Sequence, residues 1–197
     1  MARDDVVKTV QEALFTQKVA NPGINFELAI TEKQNIAEFD NRLLSQALIN
    51  VIKNAVEAIE AQFANEDGKR KEKGQVSVKV WHDKAMIVMD VIDNGKGLPE
   101  EDRQKLLEPY MTTRQKGTGL GLAIVRKILE DHGGTIELMD APSVAEGGHG
   151  AMMRLRLPNA GMAEFDETLE TGEVVTGRLA SSPETSTNEK TTREAAS

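Results

Sequence analysis

Asn50 and Asn54 stand four residues apart in a run whose apolar residues recur at helical spacing, so both amides leave one side of one helix. Asparagine is a mediocre helix former because its amide competes for backbone hydrogen bonds. One use for such a pair is chemical: an amide oxygen is a hard ligand suited to Mg²⁺, which takes few protein ligands and fills its remaining positions with water and phosphate oxygens. The other is the polar shoulder of an amphipathic helix, a line that Glu57 continues. Further on, Asp93-Asn94-Gly95-Lys96-Gly97 closes a strand-like run in which Val88, Val91 and Ile92 should be buried. A carboxylate just past a buried strand can accept a hydrogen bond from an exocyclic amine such as adenine N6, and the glycines let the backbone approach a flat base. The same residues also make a good plain turn.

Gly117-Thr118-Gly119-Leu120-Gly121-Leu122 leads into the helical run Ala123-Ile124-Val125-Arg126-Lys127. Free N–H groups at a glycine-rich helix start attract phosphates. The G-x-G-x-x-G spacing fails and no Gly-Lys-Ser/Thr follows, so the segment is neither a dinucleotide fingerprint nor a P-loop. The polar stretch from about 97 to 118 suits a mobile lid, with Thr112, Thr113, Arg114 and Lys116 available to grip phosphate oxygens. Taken together the motifs spell a nucleotide site.

The elements that must carry these residues follow from periodicity. Asp4 or Asp5 caps a helix to about Lys18, which Asn21-Pro22-Gly23 ends. Ile24–Ile30 alternates as a half-buried strand and Ala37–Phe39 reads as a short one. Asp40 caps a long helix to about Phe63, with Leu44, Ala47, Leu48, Val51, Ile52, Ala55 and Ile59 on its apolar face. Val76–Trp81 and Met86–Ile92 form an antiparallel pair, a helix runs from Gly119 to about Asp131 and stops at Gly133-Gly134, and Thr135–Met139 and Ala151–Leu157 are the last strands. Strands beside segregated helices predict an α/β (α+β) two-layer sandwich, a mixed sheet of about five strands on about three helices.

Composition narrows the classes. The chain of 197 residues carries a net charge of −8, against general nucleic-acid binding, and has no Cys, which excludes disulfides and thiolate metal sites. No apolar run approaches the roughly 18–20 residues of a membrane span, no secretory signal opens the chain, and a reducing cytosol suits it. Residues 1–160 read as one domain. The stretch 161–197 is rich in Glu, Thr, Ser and Ala and reads as an acidic, disordered tail; Gly68–Gly74 reads as a charged connector.

The order N-x-x-x-N, D-N-G-x-G, E-P-Y-x-T-T (Glu108 to Thr113) and G-T-G-L-G-L resembles the catalytic ATP-binding domain of bacterial sensor histidine kinases, a branch of the superfamily shared with gyrase, Hsp90 and MutL. The resemblance covers about Asp4 to Pro158, and the wording around Asn54-Ala55-Val56-Glu57-Ala58 and Thr112–Gly117 is most similar to nitrogen-regulation sensors of the NtrY/NtrB kind. It implies the Bergerat fold and ATP with Mg²⁺ as cofactors. Asn54 would ligate the metal with Asn50 in the same phosphate environment, and Asp93 would bind the adenine amino group, with Gly95 and Gly97 lining the base. Tyr110 would anchor the lid, Arg114 and Lys116 would reach phosphates, and Gly117, Gly119 and Gly121, with Thr118 and Leu120 between them, would form the turn beneath the triphosphate. Gly147-Gly148-His149-Gly150 is similar to the last glycine motif. The sequence departs from the pattern at Glu57, where a basic or aromatic residue is frequent, at Met111, where the lid residue is commonly aromatic, and at Ala151-Met152-Met153, where Thr or Phe often follows the glycine.

Such a kinase phosphorylates a histidine on a separate helical-hairpin domain, and through it a response regulator. His82 lies in a strand pattern, His132 at a helix end and His149 in a glycine run, so none suits as acceptor. The resemblance therefore implies the ATP-binding part of a longer cytoplasmic or membrane-anchored kinase, without nucleic-acid or membrane contact of its own. Two alternatives stay open: an ATPase or anti-sigma-type serine kinase of the same fold, disfavoured by Asn50 where hydrolases carry a Glu base, and a nucleotide-responsive interaction module without transfer.

Overall fold

A computed structural model describes residues 1–63, 73–111, 118–146 and 148–161. Strand β1 (Ala2–Asp5) leads into helix α1 (Val6–Ala20), followed by β2 (Ile24–Ile30), β3 (Ile36–Phe39), α2 (Asn41–Phe63), β4 (Gly74–Asp83), β5 (Met86–Asp93), α3 (Gly121–Asp131), β6 (Thr135–Asp140) and β7 (Ala151–Pro158). Short 3₁₀ turns occupy Arg103–Leu107 and Pro142–Glu146. The main sheet has the order β2-β4-β5-β7-β6, with β2 parallel to β4 and every other pair antiparallel. Three helices cover one face of this five-stranded mixed sheet, which is the two-layer sandwich that the periodicity predicts.

The core follows from strand alternation. Val76, Val78 and Val80 of β4, Ile87, Met89 and Val91 of β5, and Met153, Leu155 and Leu157 of β7 all point to the helical side. Against them α2 buries the whole apolar stripe from Leu44 to Ile59 that the sequence shows. On the opposite face Asp90 is buried but fully engaged: Arg154 donates Nε to Oδ1 (2.7 Å) and Nη2 to Oδ2 (2.9 Å), and Trp81 Nε1 donates to Oδ2 (3.0 Å). The guanidinium lies 5.2 Å from the Trp81 ring centre, so three central strands are cross-linked outside the core.

One feature differs from the sequence expectation. The N-terminal residues form a strand rather than entering the helix directly: Ala2–Asp5 pairs antiparallel with Ile36–Phe39 in a separate two-stranded sheet, where the sequence shows no alternation. Arg3 then donates to the Ala160 carbonyl (2.9 Å), tying this sheet to the end of β7. The helix caps stand as read, with Asp5 accepting from Val7 N–H (2.9 Å) and Asp40 from Leu43 N–H (3.1 Å), a bond that lowers the Asp40 carboxyl pKa.

Both described histidine rings away from the glycine run are structural. His82 bridges Asn35 Oδ1 (3.1 Å) and Asn159 Nδ2 (3.4 Å). Buried His132, the C-cap of α3, accepts the Asp40 N–H on Nε2 (2.9 Å), so its proton sits on Nδ1 and is donated to the Ile128 carbonyl (2.6 Å). One neutral imidazole thus locks the end of α3 to the start of α2. His132→Leu leaves the part-buried Asp40 N–H without its acceptor, and its expected cost is about 1–3 kcal/mol in chemical denaturation.

Candidate nucleotide site

Helix α2 presents a stripe at i, i+3, i+4 and i+7, Asn50, Lys53, Asn54 and Glu57, along a cavity of about 280 Å³. The end of β5 contributes Asp93, Lys96 and Gly97, β7 contributes Ala151 and Met153, the segment after β5 contributes Leu98, Pro99, Leu106 and Met111, and the entry to α3 contributes Thr118, Gly119, Gly121 and Leu122. Separate stretches of chain therefore converge, because β5 and β7 are adjacent strands and α2 and α3 lie on the same face.

Asp93 is the electrostatic centre of this wall. It is only 4% exposed, and burial pushes its carboxyl up to about 6 from the ordinary 3.8, against hydrogen bonds that pull the other way. Both of those bonds fall on Oδ1, from Gly95 N–H (2.8 Å) and Ala151 N–H (3.4 Å). Oδ2 carries no hydrogen bond among the described residues, which leaves it as an acceptor on the cavity wall. Asn94 fixes the strand end: its Oδ1 accepts from Gln75 N–H (2.7 Å) and its Nδ2 donates to the Lys73 carbonyl (3.2 Å).

At the other end the first turn of α3 has no intrahelical acceptors for its N–H groups, as at any helix start, and Gly121 and Leu122 bring that turn to the cavity. Gly119, at φ +67°, cannot carry a side chain. A Cβ there would lie 2.5 Å from the Tyr110 carbonyl carbon, and the Gly119 carbonyl accepts the Tyr110 N–H (3.0 Å). The turn is thereby stitched to the Glu108-Pro109-Tyr110 segment.

Of the residues predicted from sequence, Asn50, Asn54, Asp93, Gly97, Thr118, Gly119 and Gly121 line the cavity. Gly95 does not. It faces the α2 backbone, where a Cβ would meet the Ala58 carbonyl carbon at 2.5 Å, and its neighbour Lys96 donates N–H to the Ala58 carbonyl (3.2 Å). What the structure shows for it is close packing of the strand end on the helix. Tyr110 is 78% exposed with φ +66°, so only its backbone anchors the segment. Leu120 is the N-cap of α3 and is not among the wall residues. The expected residues Thr112, Thr113, Arg114, Lys116 and Gly117, together with the connector 68–72, Gly147 and the tail from 162, lie outside the described residues.

The sequence reading missed Lys53, Lys96, Ala58, Leu98, Leu106 and Leu122 as wall residues. Lys53 was accessible to it, since it shares the helical stripe of Asn50, Asn54 and Glu57; its Nζ lies 3.9 Å from Glu57. The leucines carry no local signal of facing a cavity instead of the core.

Comparison with known proteins places the chain in a family. The family described as histidine kinase-, DNA gyrase B-, and HSP90-like ATPase matches residues 39–161, and the chain belongs to it. The nitrogen regulation protein NtrY of Azorhizobium caulinodans is 47% identical over 157 residues, which are 80% of this chain and 19% of that protein, so the chain spans about a fifth of the relative it matches. Among solved structures, the mycobacterial sensor histidine kinase MprB is similar with a TM-score of 0.67 and 25% identity, covering 79% of this chain and 95% of that one. The histidine kinase ThkA in complex with the response regulator protein TrrA gives 0.62 and 25%, covering 81% and 42%.

Proposed function

We infer that this chain is the ATP-binding catalytic part of a two-component sensor histidine kinase of the nitrogen-regulation type. It would bind ATP with Mg²⁺ and present the γ-phosphate to a histidine on a separate dimerisation domain, from which a response regulator is phosphorylated. The observation that carries the reading is Asp93: a buried carboxylate on the wall of the cavity that Asn50 and Asn54 also line, with one oxygen spent on backbone N–H groups and the other without a hydrogen bond among the described residues. An exocyclic amine is the natural donor for that oxygen, and a guanine carbonyl in its place would face a carboxylate.

The donor set suits a magnesium nucleotide. Asn54 offers a neutral hard oxygen, as Mg²⁺ requires, with Asn50 one turn before it, and Lys53 and Lys96 add cationic charge on the same wall. When bound, the metal would neutralise phosphate charge as the transferred group departs. The chain's own contribution is positioning: Asp93 sets the base, the α3 turn faces the phosphates and α2 holds the amides. An amide at position 50 cannot deprotonate water, which favours transfer over hydrolysis. The kinship with NtrY and the relative co-crystallised with a response regulator support the same reading. Among the described residues no helix is long and apolar enough to cross a membrane; we place this part of the kinase in the cytoplasm, where ATP is.

The test is a titration of ATP, ADP and GTP with and without Mg²⁺, followed by labelling of a hairpin-domain fragment with radioactive ATP. Asn54→Ala is expected to abolish the Mg²⁺-dependent gain in ATP affinity and to lower labelling by at least about tenfold. Equal affinity for GTP, or labelling indifferent to Asn54, would overturn the assignment.

A further inference from the structure

The stretch between Gly97 and Tyr110 reads in the sequence as the front half of a mobile lid. The structure shows it braced. Arg103, at the start of the 3₁₀ turn, donates Nε back to the Pro99 carbonyl (2.7 Å) and both terminal nitrogens to Asp140, at 2.7 and 3.1 Å. Asp140 is the last residue of β6, the edge strand two places from β5, so the brace spans from the segment that leaves β5 to the far rim of the sheet. Leu107, buried in the core, pins the segment's other end. Leu98 and Pro99, at the end that the Arg103–Pro99 bond holds, and Leu106, beside Leu107, line the cavity with apolar surface. Leu98 and Pro99 continue directly from Gly97, which packs against Gly150 next to Asp93, so this wall stands at the carboxylate end.

We propose that Arg103 is a positioning residue for the nucleotide base: with Asp140 it holds the Leu98-Pro99 wall at the spacing a flat ring needs, without touching the ligand. The proposal rests on the nucleotide reading above and adds to it a residue pair outside the four motifs. Its fork geometry matters. A guanidinium bonds one carbonyl and both oxygens of a carboxylate at once in a fixed planar fork, a geometry that an ammonium lacks. The pair is partly exposed, with Arg103 at 26% and Asp140 at 46%, so its loss should alter the wall more than the stability of the fold.

The experiment uses the full chain and measures affinity for ATP, ADP and adenosine by calorimetry, alongside melting of the ligand-free protein. Arg103→Ala and Asp140→Ala are each expected to weaken all three ligands alike, about five- to tenfold, with the double variant no worse than either single one. Ligand-free melting should stay within about 2 °C of wild type. A wall acting on the base predicts equal losses for adenosine and ATP. A loss confined to ATP, unchanged affinity, or a fall in melting temperature that tracks the loss of binding would each overturn the proposal. Failure of the wild-type chain to bind any adenine ligand would instead sink the nucleotide reading, and the proposal with it.

Discussion

Asp93→Asn is expected to make the ligand-free protein more stable above pH 6 and to lose adenine binding in the same step. The carboxyl titrates at about 6 in the folded chain and near 3.9 in the unfolded one. Between those values the folded state holds more protons, so stability falls as pH rises from about 4 to 6 and is level beyond. Two pH units correspond to about 3 kcal/mol, the upper bound on what the ionised, buried carboxylate costs the free protein. An amide keeps the Oδ1 acceptor for Gly95 and Ala151 and removes the charge. Melting at pH 8 should therefore rise by several degrees in the variant, with the difference vanishing only below about pH 4.

Binding has the opposite sign. The base amine needs the ionised acceptor, so affinity of the wild type should climb about tenfold per pH unit below 6 and then level off. The Asp93→Asn variant should show no such step, and its NH₂ group, facing another donor, should lower affinity by about one to two orders of magnitude. Thermal melts and calorimetric titrations between pH 5 and 8 read both effects. A variant that melts lower than wild type at pH 8 would show that the Asp93 charge stabilises the fold, contrary to the burial argument.

Much of this arrangement is legible in the chain itself. Strand β2 runs over the predicted residues 24–30 because Ile24, Phe26 and Leu28 alternate with Asn25, Glu27 and Ala29, and α2 begins after the Asp40 cap and buries the apolar stripe that its sequence spaces at helical intervals. Local periodicity and capping carry that information, since each depends on residues within a turn or two. The pairing of β1 with β3 does not: Ala-Arg-Asp-Asp has no alternation, and its ladder is set by a partner more than thirty residues away. In the site, Asn50, Asn54 and Asp93 declare themselves because their types are costly where they stand. Leu98, Leu106 and Arg103 do not, since a leucine on a cavity wall and a leucine in a core have the same local sequence, and the acceptor for Arg103 lies on β6. Gly95 is the instructive case: the motif assigns it to the base, while a second reason for a glycine, the α2 backbone against which it packs, has no local signal in the sequence.

Two glycines near the site should separate folding from binding. Gly150 adopts φ +129°, and a Cβ on it would lie 1.9 Å from the Asp93 carbonyl oxygen. That atom is strand backbone and cannot swing aside, so Gly150→Ala must move either β7's entry or the end of β5. Backbone strain and overlap together are expected to cost about 3–5 kcal/mol, a drop of roughly 10 °C in melting. The protein that remains folded should bind adenine poorly, because Gly150 immediately precedes Ala151, whose N–H helps aim Asp93. Gly121 is the converse. A Cβ there meets nothing within 4 Å, although the residue lines the cavity at the start of α3. Gly121→Ala should leave melting unchanged or slightly raised, since alanine favours the helix over glycine. It should still weaken ATP, by occupying space where phosphates approach the free N–H groups of the first turn. Adenosine, which has no phosphate, should bind the Gly121→Ala variant as it binds wild type; a loss of adenosine affinity there would place the α3 turn at the base end of the cavity and reverse the orientation assigned to the nucleotide.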